Sequence, residues 1–120
     1  MQNFIQLGRT MTYTNVSSDT IESGAVVPVG NLIGIAQGQI IADATGVLSM
    51  EGVFELPKAS SAVIAQGELV QWDASAGEFV ATSATDAAGD ITGACAAWEA
   101  TPSGATVVRV KINTAVGVVT

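Results

Sequence analysis

The sequence predicts an all-β protein, a compact single-domain β-barrel or sandwich with short turns and at most one short helix. Three observations predict it. Two segments alternate apolar and polar residues with a period of two, glycines and Asp- or Ser-containing clusters punctuate the chain at short intervals, and no stretch has a convincing helical period. In "VLSMEGVFEL" (47–56), Leu48, Met50, Phe54 and Leu56 fall on one face and Ser49, Glu51 and Glu55 on the other, with Gly52 and Val53 as the imperfect members. In "TVVRVKIN" (106–113), Val108, Val110 and Ile112 point inward while Arg109 and Lys111 point outward. Such alternation marks half-buried strands. Were the two neighbours, Glu51 and Glu55 could pair with Arg109 and Lys111 for a few tenths of a kcal/mol each.

The elements follow in order. Residues 1–9 form an N-terminal arm whose Phe4, Ile5 and Leu7 precede any strong alternation; it has no positively charged leader before an apolar stretch, so no secretory signal is expected. A β domain is expected over residues 10–113, with further strands in "TMTYTNV" (10–16), "AVVPV" (25–29), "LIGIAQG" (32–38), "GELVQWD" (67–73), "EFVAT" (78–82) and "ITGACAAWEA" (91–100). Their connections include "DATG", "DASAG" and "SATDAAGD", which have the chemistry of tight turns and short loops. Gly30, Gly34 and Gly38, four apart, read as one face of an extended segment where another backbone comes close. Only "KASSAVIAQ", after Pro57, has room for a helical turn. Residues 114–120 are a C-terminal tail with Val116, Val118 and Val119. Apolar ends of a small domain either join its sheet or dock on a neighbour. Phe54, Leu56, Trp72 and Trp98 are expected as core anchors.

Composition adds a second expectation. Charged residues make up 12% of the chain, where an ordinary globular domain has roughly 25%, and the net charge is −7 from four basic and eleven acidic residues. Scattered basic positions argue against a nucleic-acid or anionic-membrane surface. The run "AVVPVGNLIGIA", interrupted by Pro28 and Asn31, is too short to span a bilayer. A small protein with so few charges exposes apolar surface unless another protein covers it, so an oligomer or a subunit of an assembly is expected ahead of a low-charge monomer.

Chemistry has little to work with. The chain contains no histidine, which removes the usual general base and most zinc sites. There is no Gly-Lys dipeptide for a phosphate loop and no Gly-x-Gly for a dinucleotide fingerprint. Cys95, the only cysteine, lies between alanines and reads as a buried structural thiol. Carboxylates are available for a glycosidase-like pair, but a solvated outer sheet face accounts for them better, and "DAAGD" (86–90) reads as a turn rather than a calcium loop. No catalytic residue, cofactor or metal is expected.

The stretches "MQNFIQLGRTMTYT", "SGAVVPVGNLIGIA", "SMEGVFELPKAS", "AQGELVQWD" and "ATVVRVKIN", spanning about residues 3 to 113, resemble the small phage structural proteins that act as capsid cement or decoration proteins. The resemblance implies a compact β domain that binds the outside of an expanded head, with the major capsid protein as partner, and stabilises the head against internal pressure. Synthesis in the host cytoplasm follows from that reading. The expected state is a homo-oligomer, a trimer ahead of a dimer, using no nucleic acid or membrane. Phe4, Ile5, Leu7 and Arg9 are the first choice for capsid or subunit contact, with Gly30, Gly34, Gly38, Val116, Val118 and Val119 as further interface positions. Two other readings compete: a carbohydrate-binding or adhesin-like module of a virion or tail, with exposed aromatics in a groove, and a hydrolase using Glu51 or Glu55 in an acidic cleft.

Overall fold

A computed structural model describes residue 3, residues 5–81 and residues 87–120. Among these residues there are ten strands and no helix. Strands β1 (Thr10–Thr14), β2 (Val26–Val29), β3 (Leu32–Ala36) and β4 (Thr45–Ser49) form a four-stranded antiparallel sheet in the order β1-β4-β3-β2. The larger sheet holds β5 (Val53–Pro57), β6 (Leu69–Asp73), β7 (Glu78–Ala81), β8 (Ile91–Ala97), β9 (Val107–Lys111) and β10 (Val118–Val119) in the order β5-β9-β8-β6-β7. Strand β10 adds to β8 at Ile91 and Thr92, while β9 pairs with the far end of β8 at Ala96 and Ala97. Among the described residues the edges of the larger sheet meet at one parallel bridge, Lys58↔Phe79, where the Ala59 N–H donates to the Phe79 carbonyl at 2.9 Å. One such bridge leaves the larger sheet open, and the molecule is sandwich-like and all-β, not a closed barrel.

Two expectations about local structure need correction. Residues 47–56 are not one strand. Gly52, at φ 124°, takes a backbone conformation unfavourable to other residues, and the chain passes there from β4 in one sheet to β5 in the other. The segment after Pro57 contains no helical turn: the Ala62 N–H donates to the Ala59 carbonyl, closing a β-turn. The buried ammonium of Lys58 donates to the carbonyls of Ala59 and Ala62 and so holds that turn from inside.

Strand β3 joins the two halves because both of its faces are covered. Ile33 and Ile35 enter the main core with Leu56, Ile64, Val70, Trp72, Phe79, Ile91, Val108, Val110 and Ile112. On the opposite face, Ala36 packs in a second core with Val27, Ile40, Leu48 and Met50. The rings of Trp72 and Phe79 meet edge to face, centroids 5.0 Å apart. That geometry contributes about 0.5–1.5 kcal/mol beyond the area buried.

Between the sheets lies a polar clasp. Ile33 is paired with Pro28, which has no N–H to offer, and Ile33 turns its own N–H and C=O to the other edge of β3. Asn113 receives both there. Its Oδ1 accepts from the Ile33 N–H at 2.9 Å, and its Nδ2 donates to the carbonyls of Ile33 at 2.6 Å and Met50 at 2.8 Å. Asn113 sits at φ 55°, a left-handed conformation that asparagine tolerates better than most residues. A second stitch joins Asn31 to Gly117: the Asn31 Nδ2 donates to the Gly117 carbonyl at 2.7 Å and the Gly117 N–H to the Asn31 carbonyl at 3.0 Å.

Replacing Asn113 by alanine leaves the Ile33 amide and two carbonyls without this partner. The expected loss is about 2–4 kcal/mol of unfolding free energy. Urea titration checks it, with Thr114→Ala, at an exposed position, as a control expected to lose under about 1 kcal/mol.

Candidate functional site

Around the ordered sheets, the apolar residues that find no place inside mark the surfaces available for contact. The arm is the first of them. Ile5 is 85% exposed and Leu7 72%, and Gln6, Gly8 and Arg9 are exposed with them. Phe4 lies outside the described residues. The arm is rooted at its inner end, where the Met50 N–H donates to the Arg9 carbonyl at 2.9 Å and the Arg9 Nε meets the Glu51 Oε1 at 2.9 Å. Both side chains of this ion pair face water, so its contribution is about 0–1 kcal/mol. Beside the arm runs a groove of about 620 Å³ lined by Gln6, Thr10, Thr12, Leu32, Met50 and Asn113.

The C-terminal segment joins the sheet as β10 yet leaves Val116, Val118 and Val119 exposed. Gly117 between them is buried; a Cβ there would stand 2.5 Å from the Ile91 Cγ2 and 2.9 Å from the Ala94 Cβ. The three spaced glycines do not share a face. Gly30, at φ 58°, opens the two-residue turn between β2 and β3 as a type II′ hairpin requires, and Gly38 is exposed beyond the end of β3. Gly34 is buried against its own chain, where a Cβ would meet Leu48 at 2.8 Å and the Met50 sulfur at 3.1 Å. The close neighbours are side chains of β4 and the residue after it, not another backbone, so Gly34 offers nothing to a partner.

Of the expected core anchors, Leu56 and Trp72 are buried and Phe54 packs at the margin of the main core. Trp98 is the exception. It is 50% exposed, because Ala97 pairs with the inward Val110 and the next residue must therefore face outward beside Arg109. Its N–H donates to the Arg109 carbonyl at 2.8 Å, and the Lys111 ammonium lies 5.2 Å from its ring centroid. Sequence reasoning missed the surface it belongs to, the outer face of the larger sheet, where Val53, Leu69 and Val107 are also exposed. The register needed to find it was present in the outward position of Arg109.

The acidic residues of that region hold cations. Arg109 contacts Glu99 at 3.0 Å and Glu55 at 3.7 Å, and Glu55 lies opposite Arg109 across β5 and β9. Glu51 pairs with Arg9 instead of the β9 cations, because Gly52 separates it from β5. Among the described residues no three His, Cys, Asp or Glu side chains gather closely enough to hold a metal ion. Cys95 is buried, and desolvation raises its thiol to about 11, leaving it protonated and inert at neutral pH.

Residues 5–112 match a protein family described as phage cement protein. The chain belongs to the phage cement protein family. Membership gives it a structural role associated with the phage capsid, which it stabilises. No curated protein matches the chain. The matched span takes in the arm from Ile5 and nine of the strands, ending next to Asn113. In this cement protein the arm, β10 and the Trp98 face are thus carried on a framework whose interior polar groups are mostly paired.

Asp90 is one of those interior groups, and it sets a pH dependence. Its carboxylate accepts from the N–H of Ala87 at 2.9 Å and of Ala74 at 3.1 Å, and from the Gln71 amide at 3.2 Å. The Ala87 bond above all holds its pKa below the ordinary carboxyl value, against the opposing effect of burial. A lowered folded-state pKa contributes stability that is present above the unfolded value and lost as pH falls through the folded one. Asp90→Asn should therefore lower the urea midpoint at pH 7 and make it fall less steeply below about pH 4 than the parent protein's. Urea titrations at the two pH values measure this.

Proposed function

We propose that this cement protein binds the outer surface of the expanded head and bridges neighbouring copies of the major capsid protein, without catalysis. It does so as a homo-oligomer, a trimer ahead of a dimer, made in the host cytoplasm and requiring neither nucleic acid nor membrane. The observation that carries this reading is the arm: apolar side chains at Ile5 and Leu7 are presented to solvent from a root fixed by Arg9, at the surface of a domain with a well-filled core. Phe4, Ile5, Leu7 and Arg9 are the proposed capsid contacts. Val116, Val118 and Val119, exposed around the strand that ends the chain, supply further interface area. Gly30 and Gly38 sit in exposed turns through which a neighbour can approach the backbone.

Low charge supports the same reading. With 12% charged residues the surface has few ions to desolvate when a protein covers it. Each copy needs only a standard interface of roughly 800 Å² per partner, because simultaneous engagement of several copies multiplies a modest affinity.

Deleting residues 2–9 is expected to leave the domain folded, with the loss of the Arg9–Glu51 pair costing about 1 kcal/mol at most, and to lower occupancy on heads by tenfold or more. Co-sedimentation of the purified protein with expanded and unexpanded heads provides the measurement. Equal binding to both kinds of head, or unchanged occupancy after the deletion, contradicts the assignment.

A further inference from the structure

A groove on the smaller sheet and a knob on the larger one are both unexplained by contacts within the chain. The groove, about 370 Å³, is lined by Tyr13 of β1, by Val26, Val27 and Pro28 of β2, and by Ile21 of the segment that joins them. Glu22 stands exposed at its rim. The knob is Trp98, fixed through its backbone to Arg109, with the Lys111 ammonium against its ring and half of its surface open to water. We propose that Trp98 of one copy seats in the β1–β2 groove of a second copy, with Lys111 brought against Glu22.

Charge selects this pairing. At a net charge of −7, two copies repel unless their contact joins opposite signs. Of the four basic residues, Lys58 is buried, Arg9 is engaged by Glu51 and Arg109 by Glu99 and Glu55, which leaves Lys111, beside Trp98, as the one without an ion pair among the described residues. The groove is apolar within and acidic at its rim, matching an indole that carries the Lys111 ammonium against its ring. A tryptophan beside a cation, on a sheet face that also exposes Val53, Leu69 and Val107, has the make-up of an interface centre. Knob and groove lie on different sheets, so the contact is head-to-tail. Such a contact closes a ring when the rotation between copies permits, as in a trimer. The inference rests on the homo-oligomer proposed above and names its contact.

Sedimentation velocity of the purified protein without heads tests it, so the result is independent of capsid binding. The parent protein is expected to assemble, and Trp98→Ala to weaken assembly by at least tenfold while circular dichroism stays unchanged. Glu22→Arg and Lys111→Glu should each weaken assembly, and the two together should restore it, because the reversed charges again meet across the contact. A parent protein that stays monomeric at high micromolar concentration overturns the proposal. So does a Trp98→Ala variant that assembles within twofold of the parent, or a double reversal no better than either single one.

Discussion

A backbone amide removed from water must find a partner, and at Ile33 that requirement decides how the two sheets meet. Strand β3 is covered on both faces, and the residue opposite Ile33 is a proline. The amide and carbonyl of Ile33 are left pointing at the seam, where an unpaired group costs about 1–3 kcal/mol. Asn113 satisfies both and also takes the carbonyl of Met50. The N–H of that same Met50 donates to the Arg9 carbonyl at the root of the arm. One asparagine thus links the β3 strand, the crossover between sheets and the base of the apolar arm through hydrogen bonds. The arm's position on the surface follows from the seam.

Small residues serve the same close approach. At Gly34, Gly46 and Gly117 an added Cβ would lie within 3 Å of a neighbouring side chain, Leu48, Ile40 and Ile91 respectively. The glycines let bulky aliphatics from adjoining segments fill the space beside the backbone. Cores built this way need few large residues, which reconciles a chain rich in alanine and glycine with a filled interior. The remaining large apolar side chains, Ile5, Leu7, Trp98 and Val116 among them, have no interior left to enter. The ion pairs cannot make up for that exposure, since the three among the described residues all lie on the surface and contribute little each.

How much of this was legible depended on the range of the interaction. The alternation in residues 106–113 gives β9 and its inward valines, while the β5–β9 pairing is legible only as a condition under which Glu55 and Arg109 could meet. The four-residue spacing of Gly30, Gly34 and Gly38 suggests a common face, whereas Gly30 occupies the β2–β3 turn and Gly34 is buried against Leu48. Periodicity failed where one glycine switches sheets, at Gly52, since alternation continues across a change of partner. It failed again at Trp98, where hydrophobicity argued inward and strand parity dictated outward. The Asn113 clasp was invisible for a different reason: its partners lie 63 and 80 residues away, and nothing local distinguishes it from a turn asparagine. The candidate surfaces were half legible, the arm by its position and composition, the Trp98 face only from register.

The balance of terms at the arm supports the proposal that this protein acts in several copies. Fixing the backbone from Ile5 to Gly8 against a shell costs about 1–2 kcal/mol per residue, or roughly 4–8 kcal/mol in all. Burying Ile5 and Leu7 returns about 1.5–3 kcal/mol each, or roughly 3–6 kcal/mol. The two nearly cancel, before any loss of translational and rotational freedom is counted. A lone arm of this composition is therefore a weak anchor. Its attachment becomes firm when further contacts share one loss of freedom, either the exposed valines of the C-terminal strand or other arms held in the same oligomer. A rigid, clasped domain suits that arrangement, because an arm held at a fixed root is already positioned when its neighbour binds.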